Sequence, residues 1–286
     1  MSEDNLRILT VSAHPHDWTW FSGTLGIHVQ RGDHVTVCIA THGGATHREK
    51  WLNELEKPEA ERDPAIINEP IEKYIEQKTK EMRQAAALFG ITDVRMLNFP
   101  DKPFLVERYP EAIDRITDLI LEVRPHVIIT ESPFSSGETG LPPRHREDHT
   151  EVSIATMEAK DRATRPRAGS LVAPHRVAVT YWPGDNFDRS QLDFVVELSE
   201  EWFEKRVQAE ALYESQANDV WARRRMELDI GRMGWLLKTR YGEGFVREKP
   251  DLHKHLPVPE LMLQLAEERS LDRIARLSGK SSGVGT

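Results

Sequence analysis

The stretch SAHPHDW at 12–18 sets His14, His16 and Asp17 directly behind an apolar run. A histidine and an aspartate three residues apart, leaving the end of a strand, can turn back onto one ion. A catalytic zinc takes three protein ligands from His, Asp or Glu and keeps one position open for water. The rest of the set must come from another loop. PPRHREDHTEV (142–152) offers His145, Asp148 and His149 just as a helical pattern begins. H-P-H-D alone is a weak signal in a chain with 12 histidines. Joined to H-x-x-D-H after a later strand, it points to a metal site with a position open for water. The plainer alternative is that these histidines cap or hydrogen-bond loop backbone. Mixed His/Asp ligation suits one zinc per subunit and tolerates iron or cobalt.

Those loops need strands to carry them. The runs LRILTVSA (6–13), HVTVCIAT (34–41), VRMLNF (94–99) and HVIITES (126–132) are short, β-branched and almost continuously apolar. That pattern suits parallel strands covered on both faces. Helical patterns lie between them at 21–32, around 75–90 and at 111–123, with Gly32 and Gly90 where C-caps belong. The alternation predicts an α/β fold, Rossmann-like and doubly wound, with a mostly parallel sheet flanked by helices. Two more strand-like runs, 175–182 and 194–199, precede a helical C-terminal region with patterns at 200–218 and near 220–238. In such sheets ligands sit beyond the C-terminal strand ends. Those ends carry His14, His16 and Asp17, then Thr41 and His42, then Asp101, then Glu131. A core alone would not gather polar, metal-capable residues at one edge.

Residues 1–275 read as one domain, and the tail 276–286 as disordered. Within that domain, between a strand and a helix, the charged, Pro-containing insertion 44–74 is either a solvated excursion or a lid that contacts substrate. A net charge of −9 argues against a general nucleic-acid binder. No apolar stretch approaches the length of a bilayer span. The acidic start MSEDNLRIL lacks the layout of a signal peptide. The single cysteine, Cys38, excludes an internal disulfide and reads as a small core residue. No G-x-G-x-x-G follows the first strand, which leaves dinucleotide binding little support. A cytoplasmic protein with no nucleic-acid or membrane partner fits these observations.

AHPHD followed by FSGTL resembles the AHPDDE signature of the PIG-L/LmbE-like zinc-dependent N-deacetylases, and REDHTEV resembles their H-x-D-H motif. The likeness extends to EMRQAAALFGITDVRMLNFPD (81–101), LSEEWFEKRVQAEALYESQ (198–216) and YGEGFVRE (241–248), so it covers about 6–250. The resemblance implies zinc held by His14, Asp17 and His149. It implies N-deacetylation of an N-acetylated sugar-type or natural-product small molecule, and it is compatible with a homo-oligomer. In that family a carboxylate takes the proton from the attacking water, and a polar side chain steadies the oxyanion.

Two departures stand out. The family's general-base aspartate is here His16, and its following glutamate is Trp18. A histidine can take a proton near neutral pH and later protonate an amine. His16 is therefore a substitute base, a further metal-site group, or the sign of a binding protein with lost or altered hydrolysis. The family's histidine three before the metal ligand is here Arg146, with His145 one residue earlier. His145 and His149 would share a helical face, and both could ligate. Otherwise His145 or Arg146 stabilises the oxyanion, with Asp148 orienting a neighbouring histidine. Trp18, Trp20, His42, Asp101, Tyr241 and Glu243 are the candidates for substrate contact. For His42 no partner is legible, and the tryptophans serve equally well as core. His47, His175, His253 and His255 read as structural or surface residues.

Overall fold

A computed structural model of the chain describes residues 5–134, 146–167, 169 and 171–279. The strands are β1 Arg7–Ser12, β2 His34–Thr41, β3 Asp93–Phe99, β4 Val127–Thr130, β5 Val179–Pro183, β6 Phe194–Leu198 and β7 Tyr241–Arg247. They form one sheet in the order β3-β2-β1-β4-β5-β7-β6. The first five are parallel, and β7 runs antiparallel to both β5 and β6. This is the doubly wound, mostly parallel sheet expected from the apolar runs.

The helices are α1 Ser22–Arg31, α2 Glu49–Glu56, α3 Pro64–Ile67, α4 Ile71–Leu88, α5 Glu111–Val123, α6 Asp148–Ala163, α7 Glu200–Ala211, α8 Ala222–Leu236, α9 Glu260–Glu267 and α10 Ser270–Ser278. Alternate residues of β1 face opposite layers. Ile8 joins a core with Leu25, Met82, Phe89 and Trp202, whereas Leu9 and Val11 join one with Ile113, Ile116, Val152 and Ala155. Burial on both faces explains why the central strands lack a polar alternation. Among the described residues no helix is long and apolar enough to cross a membrane.

Several boundaries differ from the sequence expectation. β5 starts at Val179 rather than 175, and the helix expected to 218 stops at Ala211, followed by two short 3-10 turns at 214–216 and 218–220. Ala217, between those turns, has φ +55, which an α-helix cannot continue. β7 was legible as a motif but not as a strand. Its Gly242 and Gly244 sit where a Cβ would meet Val195 Cγ1 at 2.5 Å and Met233 Sδ at 2.7 Å. Close packing, not β-propensity, selects these residues. Of the tail expected from 276, residues 276–278 belong to α10, which runs through Ser278. Arg276 anchors it, pairing with Glu268 at 2.7 Å and donating to the Lys238 carbonyl at 2.7 Å. Residues 280–286 lie outside the described residues.

The insertion 44–74 carries α2 and α3 and is tied down at its root. Lys78 Nζ donates to the carbonyls of Gly43 (3.1 Å) and Thr46 (2.9 Å). Strand order reverses between β1 and β4, and the crevice at that reversal is where doubly wound sheets hold ligands.

Candidate metal centre

Immediately beyond β1 the chain folds into a 3-10 turn at Asp17–Phe21. The His14 backbone N–H donates to Asp17 Oδ2 at 2.7 Å, closing H-P-H-D so that both side chains face one way. From the other side of the crevice, α6 delivers Asp148 and His149 in its first turn. His14 Nδ1 lies 3.0 Å from Asp17 Oδ2, and His149 Nε2 lies 3.3 Å from the same oxygen. Ligand atoms of His14, Asp17 and His149 all fall within 4.8 Å of one another.

A second group, His14, Asp101 and Asp148, meets the same distance. Its carboxylates are already occupied. Asp148 accepts from the backbone N–H of Phe104 (2.7 Å) and Lys102 (3.0 Å) and lies 2.8 Å from His14 Nε2. Asp101 accepts from Ala45 N–H (2.9 Å) and the Thr46 hydroxyl (2.6 Å). By contrast, Asp17 Oδ1 and His149 Nε2 are buried with no hydrogen-bond partner among the described residues. A carboxylate oxygen and an imidazole nitrogen left without partners in one place both offer lone pairs, which fits a cation.

The electrostatics agree. Burial disfavours charge on Asp17, yet His16, His149 and His14 around it hold its carboxyl well below the usual range. Burial likewise opposes charge on His149, but Asp17 and Glu147 push its pKa up to about 11. The cluster therefore draws in positive charge, as a proton or as a metal ion. With Asp148 taking the Nε2 side of His14, Nδ1 is left to face Asp17 and the ion position.

His16 stands beside this set. Its Nε2 lies 3.3 Å from Asp17 Oδ1, and its Nδ1 is buried with no hydrogen-bond partner among the described residues. Burial, outweighing the Asp17 charge, lowers its pKa well below 6.5, so the ring is neutral at pH 7.

Other expected site residues are placed differently. Trp18 is fully buried in the core, its indole N–H donating to the Pro15 carbonyl at 3.1 Å. Trp20 does reach the centre, its ring centroid 5.6 Å from that of His149. Arg146 does not face the centre. Its guanidinium grips Glu151 through two contacts of 2.7 Å and Glu107 at 2.5 Å. Asp101 is spent on the root of the insertion, and His42 lies 3.3 Å from it. Glu243 accepts from Gly23 N–H (3.0 Å) and Thr24 N–H (2.7 Å) at the start of α1 and pairs with Arg206 at 2.8 Å. A carboxylate at a helix N-terminus is satisfied there, without a substrate. Tyr241 stacks on Phe203 at 4.1 Å, within the packing of the β7 end of the sheet. His145 lies outside the described residues.

Three residues at the centre take no site role from the sequence: Glu131 stands only at the strand edge, His47 reads as structural or surface, and Lys78 goes unmarked. Glu131, just after β4, accepts from Ala13 N–H at 2.8 Å through Oε1, while its buried Oε2 has no hydrogen-bond partner among the described residues. Burial, reinforced by the Asp17 charge, raises its pKa to about 7. Lys78 is a buried amine on the inward face of α4, and its spacing from Tyr74 and Glu81 on that face was the available signal. His47 places its ring 5.2 Å from that of His16.

The sequence profile described as "PIG-L: GlcNAc-PI de-N-acetylase" matches residues 9–160, more than half of the 286. The chain belongs to the PIG-L family. The 1D-myo-inositol 2-acetamido-2-deoxy-alpha-D-glucopyranoside deacetylase of Streptomyces griseus is 30% identical over 193 residues, covering 62% of this chain and 54% of that protein. The match to such curated relatives spans roughly half to three fifths of their length. Among solved structures, N,N′-diacetylchitobiose deacetylase from Pyrococcus horikoshii superposes with a TM-score of 0.67 at 18% identity, over 86% of this chain and 84% of that one. GalB, the 4-carboxy-2-hydroxymuconate hydratase of Pseudomonas putida KT2440, gives 0.66 at 17% identity, over 87% and 99%. At such identities the likeness shows the fold. Within the PIG-L family, then, the chemistry of this member has to be argued from its own side chains.

Proposed function

We propose that this PIG-L family member is a metal-dependent hydrolase of a carbon–nitrogen amide bond, removing an acetyl group from an N-acetylated sugar-type small molecule. The observation that carries the reading is the convergence of His14, Asp17 and His149, with two orphaned buried ligand atoms among them. Those three residues would hold one zinc. Bound there, it would supply acidity to water and polarise the acyl carbonyl.

The chain's own groups do the rest. Asp148 fixes the tautomer of His14 and keeps its Nδ1 turned to the centre. His16, neutral and buried, has in Nδ1 an atom able to take a proton. Trp20, packed on His149, closes one side of the site with an apolar surface of the kind a sugar ring stacks on. A cytoplasmic setting and a homo-oligomeric state belong to the same reading.

One observation favours a second reading. The imidazole at the base position is less basic than an ordinary histidine, which suits a family member that binds its ligand but hydrolyses weakly or differently. Acetate release from a panel of N-acetylated amino sugars, with stoichiometric zinc, separates the two. Activity that disappears in His16→Ala supports the hydrolase. A zinc-loaded protein inert on every amide sinks it. A large gain on His16→Asp would mark His16 as a departure from the family's reaction.

A further inference from the structure

Beyond β7 the chain leaves the body as an arm. Every residue from 249 to 264 is exposed, and neither α9 nor α10 contains a buried residue. The arm is nevertheless apolar. Leu252 is fully exposed and Leu256 nearly so, Leu261, Met262 and Leu263 follow one another in the open on α9, and Ile274 adds to them on α10. Helices of 8 and 9 residues are too short to persist in water without packing. Three exposed apolar residues in a row serve nothing in this chain's own fold.

A second apolar surface lies close by. α8 turns Ala222, Met226, Ile230 and Met233 inward. Trp221, Leu228 and Trp235, spaced by seven residues, form a stripe on the nearly opposite face, and each is about half exposed. Arg276 ties the arm back beside α8, donating to the Lys238 carbonyl at 2.7 Å, yet the arm leaves this stripe uncovered. The polar borders of the two surfaces are complementary. Arg232 and Lys238 flank the stripe, Glu260 and Glu267 stand at the two ends of α9, and none of the four forms an ion pair among the described residues.

We propose that arm and stripe are the two halves of one interface, the arm of one copy covering α8 of a second copy in a two-fold dimer. A two-fold axis makes the exchange reciprocal. Each copy gives its arm and receives the other's, and neither apolar face is left over. Together the two surfaces offer on the order of 800 Å² per copy, the share that one partner brings to a standard interface. A membrane fits the arm less well, because the acidic ends of α9 would meet anionic headgroups. None of these residues belongs to the metal centre, so the dimer is independent of the reaction catalysed there.

Sedimentation velocity on the full chain over a concentration series tests it without needing turnover. The wild type should associate. Trp235→Glu on the stripe, and Leu261→Glu with Leu263→Glu on the arm, should each weaken that association by about tenfold or more. All three side chains are exposed, so the urea midpoints should match the wild type, and Leu228→Glu replaces Trp235→Glu if they do not. Mixing the stripe variant with the arm variant is decisive. Each variant alone has both reciprocal contacts damaged. The mixed pair regains one, the intact arm of the Trp235→Glu chain on the intact α8 of the other, so the mixture should associate more tightly than either variant by itself. A wild type that stays monomeric at every concentration overturns the proposal, because the arm would then serve a different partner or fold over its own α8. Association that neither set of variants loosens overturns it as well. So does association lost in the arm variant but untouched by both stripe variants, which would place the arm on another surface.

Discussion

Nε2 of His14 lies 2.8 Å from Oδ2 of Asp148, and this contact selects which nitrogen of His14 meets a metal. The carboxylate is itself fixed by two backbone N–H groups, so it is a rigid acceptor. Asp148→Asn keeps the size but can present an amide N–H in place of an acceptor, which disfavours the needed tautomer. Zinc affinity should fall by about 10- to 100-fold with the fold intact. Competition against a chromophoric chelator measures it. An unchanged affinity would mean that His14 does not ligate through Nδ1.

Much of this arrangement was legible before any coordinates, and the reason is physical. Strands buried on both faces must be apolar throughout, so β1 to β4 announce themselves, and with them the edge where His14, Asp17 and Asp148 collect. Groups whose role depends on a distant partner were not legible. Glu243 looks like a site carboxylate in isolation. Only the fold brings it to the amides of Gly23 and Thr24, 219 residues or more away in sequence. Arg146 likewise reads as an oxyanion donor until Glu107 and Glu151 are seen to claim it. Lys78 was hidden by habit, since lysines on helices are solvated almost everywhere else.

Glu243 and Arg206 form a buried pair, each side chain no more than 3% exposed. Glu243→Gln leaves the guanidinium charged and buried, with one neutral acceptor in place of a carboxylate. Removing one partner of such a pair costs about 3 kcal/mol. A lowered urea midpoint should report that loss, with zinc affinity and KM per folded molecule unchanged. A raised KM at undiminished stability would return Glu243 to the substrate site.

Lys78 gives a pH signature. Burial pushes its amine down to about 8 from the ordinary 10.5, against the pull of Asp17, Asp101 and Glu81. The folded chain thus gives up this proton before the unfolded chain does. Below pH 8 the desolvation penalty is fully present. From pH 8 to 10.5 the unfolded state holds more protons, and the penalty is relieved as pH rises. The Lys78→Met variant carries no such penalty at any pH. Its stability relative to the wild type should therefore be highest near pH 7 and drop by roughly 3 kcal/mol towards pH 10. Urea titrations of both proteins at three pH values measure the gap. A gap that is flat with pH would assign the amine an ordinary pKa. Zinc on Asp17 would cancel the charge that holds the amine up, and so move the whole window lower.

Asp101 separates two roles that sequence alone confounds. Its carboxylate takes the Ala45 N–H at 2.9 Å and the Thr46 hydroxyl at 2.6 Å, fastening the start of the insertion to the end of β3. These contacts, with the neighbouring His42, hold the carboxyl well below its usual range even though burial alone would raise it. Next along the chain come His47, its ring against that of His16, and Arg48, which rests on Trp51 and Tyr74. Asp101→Asn weakens charge-assisted contacts each worth about 1.5–3 kcal/mol, a fraction of what global unfolding takes. Local opening should therefore speed backbone hydrogen exchange over 43–48 by about tenfold or more while β1 and β2 stay protected. KM should rise with it, because the wall that carries His47 and Arg48 is no longer held in place. A substrate ligand would behave otherwise, with KM rising and exchange over 43–48 unaltered. Exchange monitored by mass spectrometry alongside steady-state kinetics distinguishes the tether from the ligand.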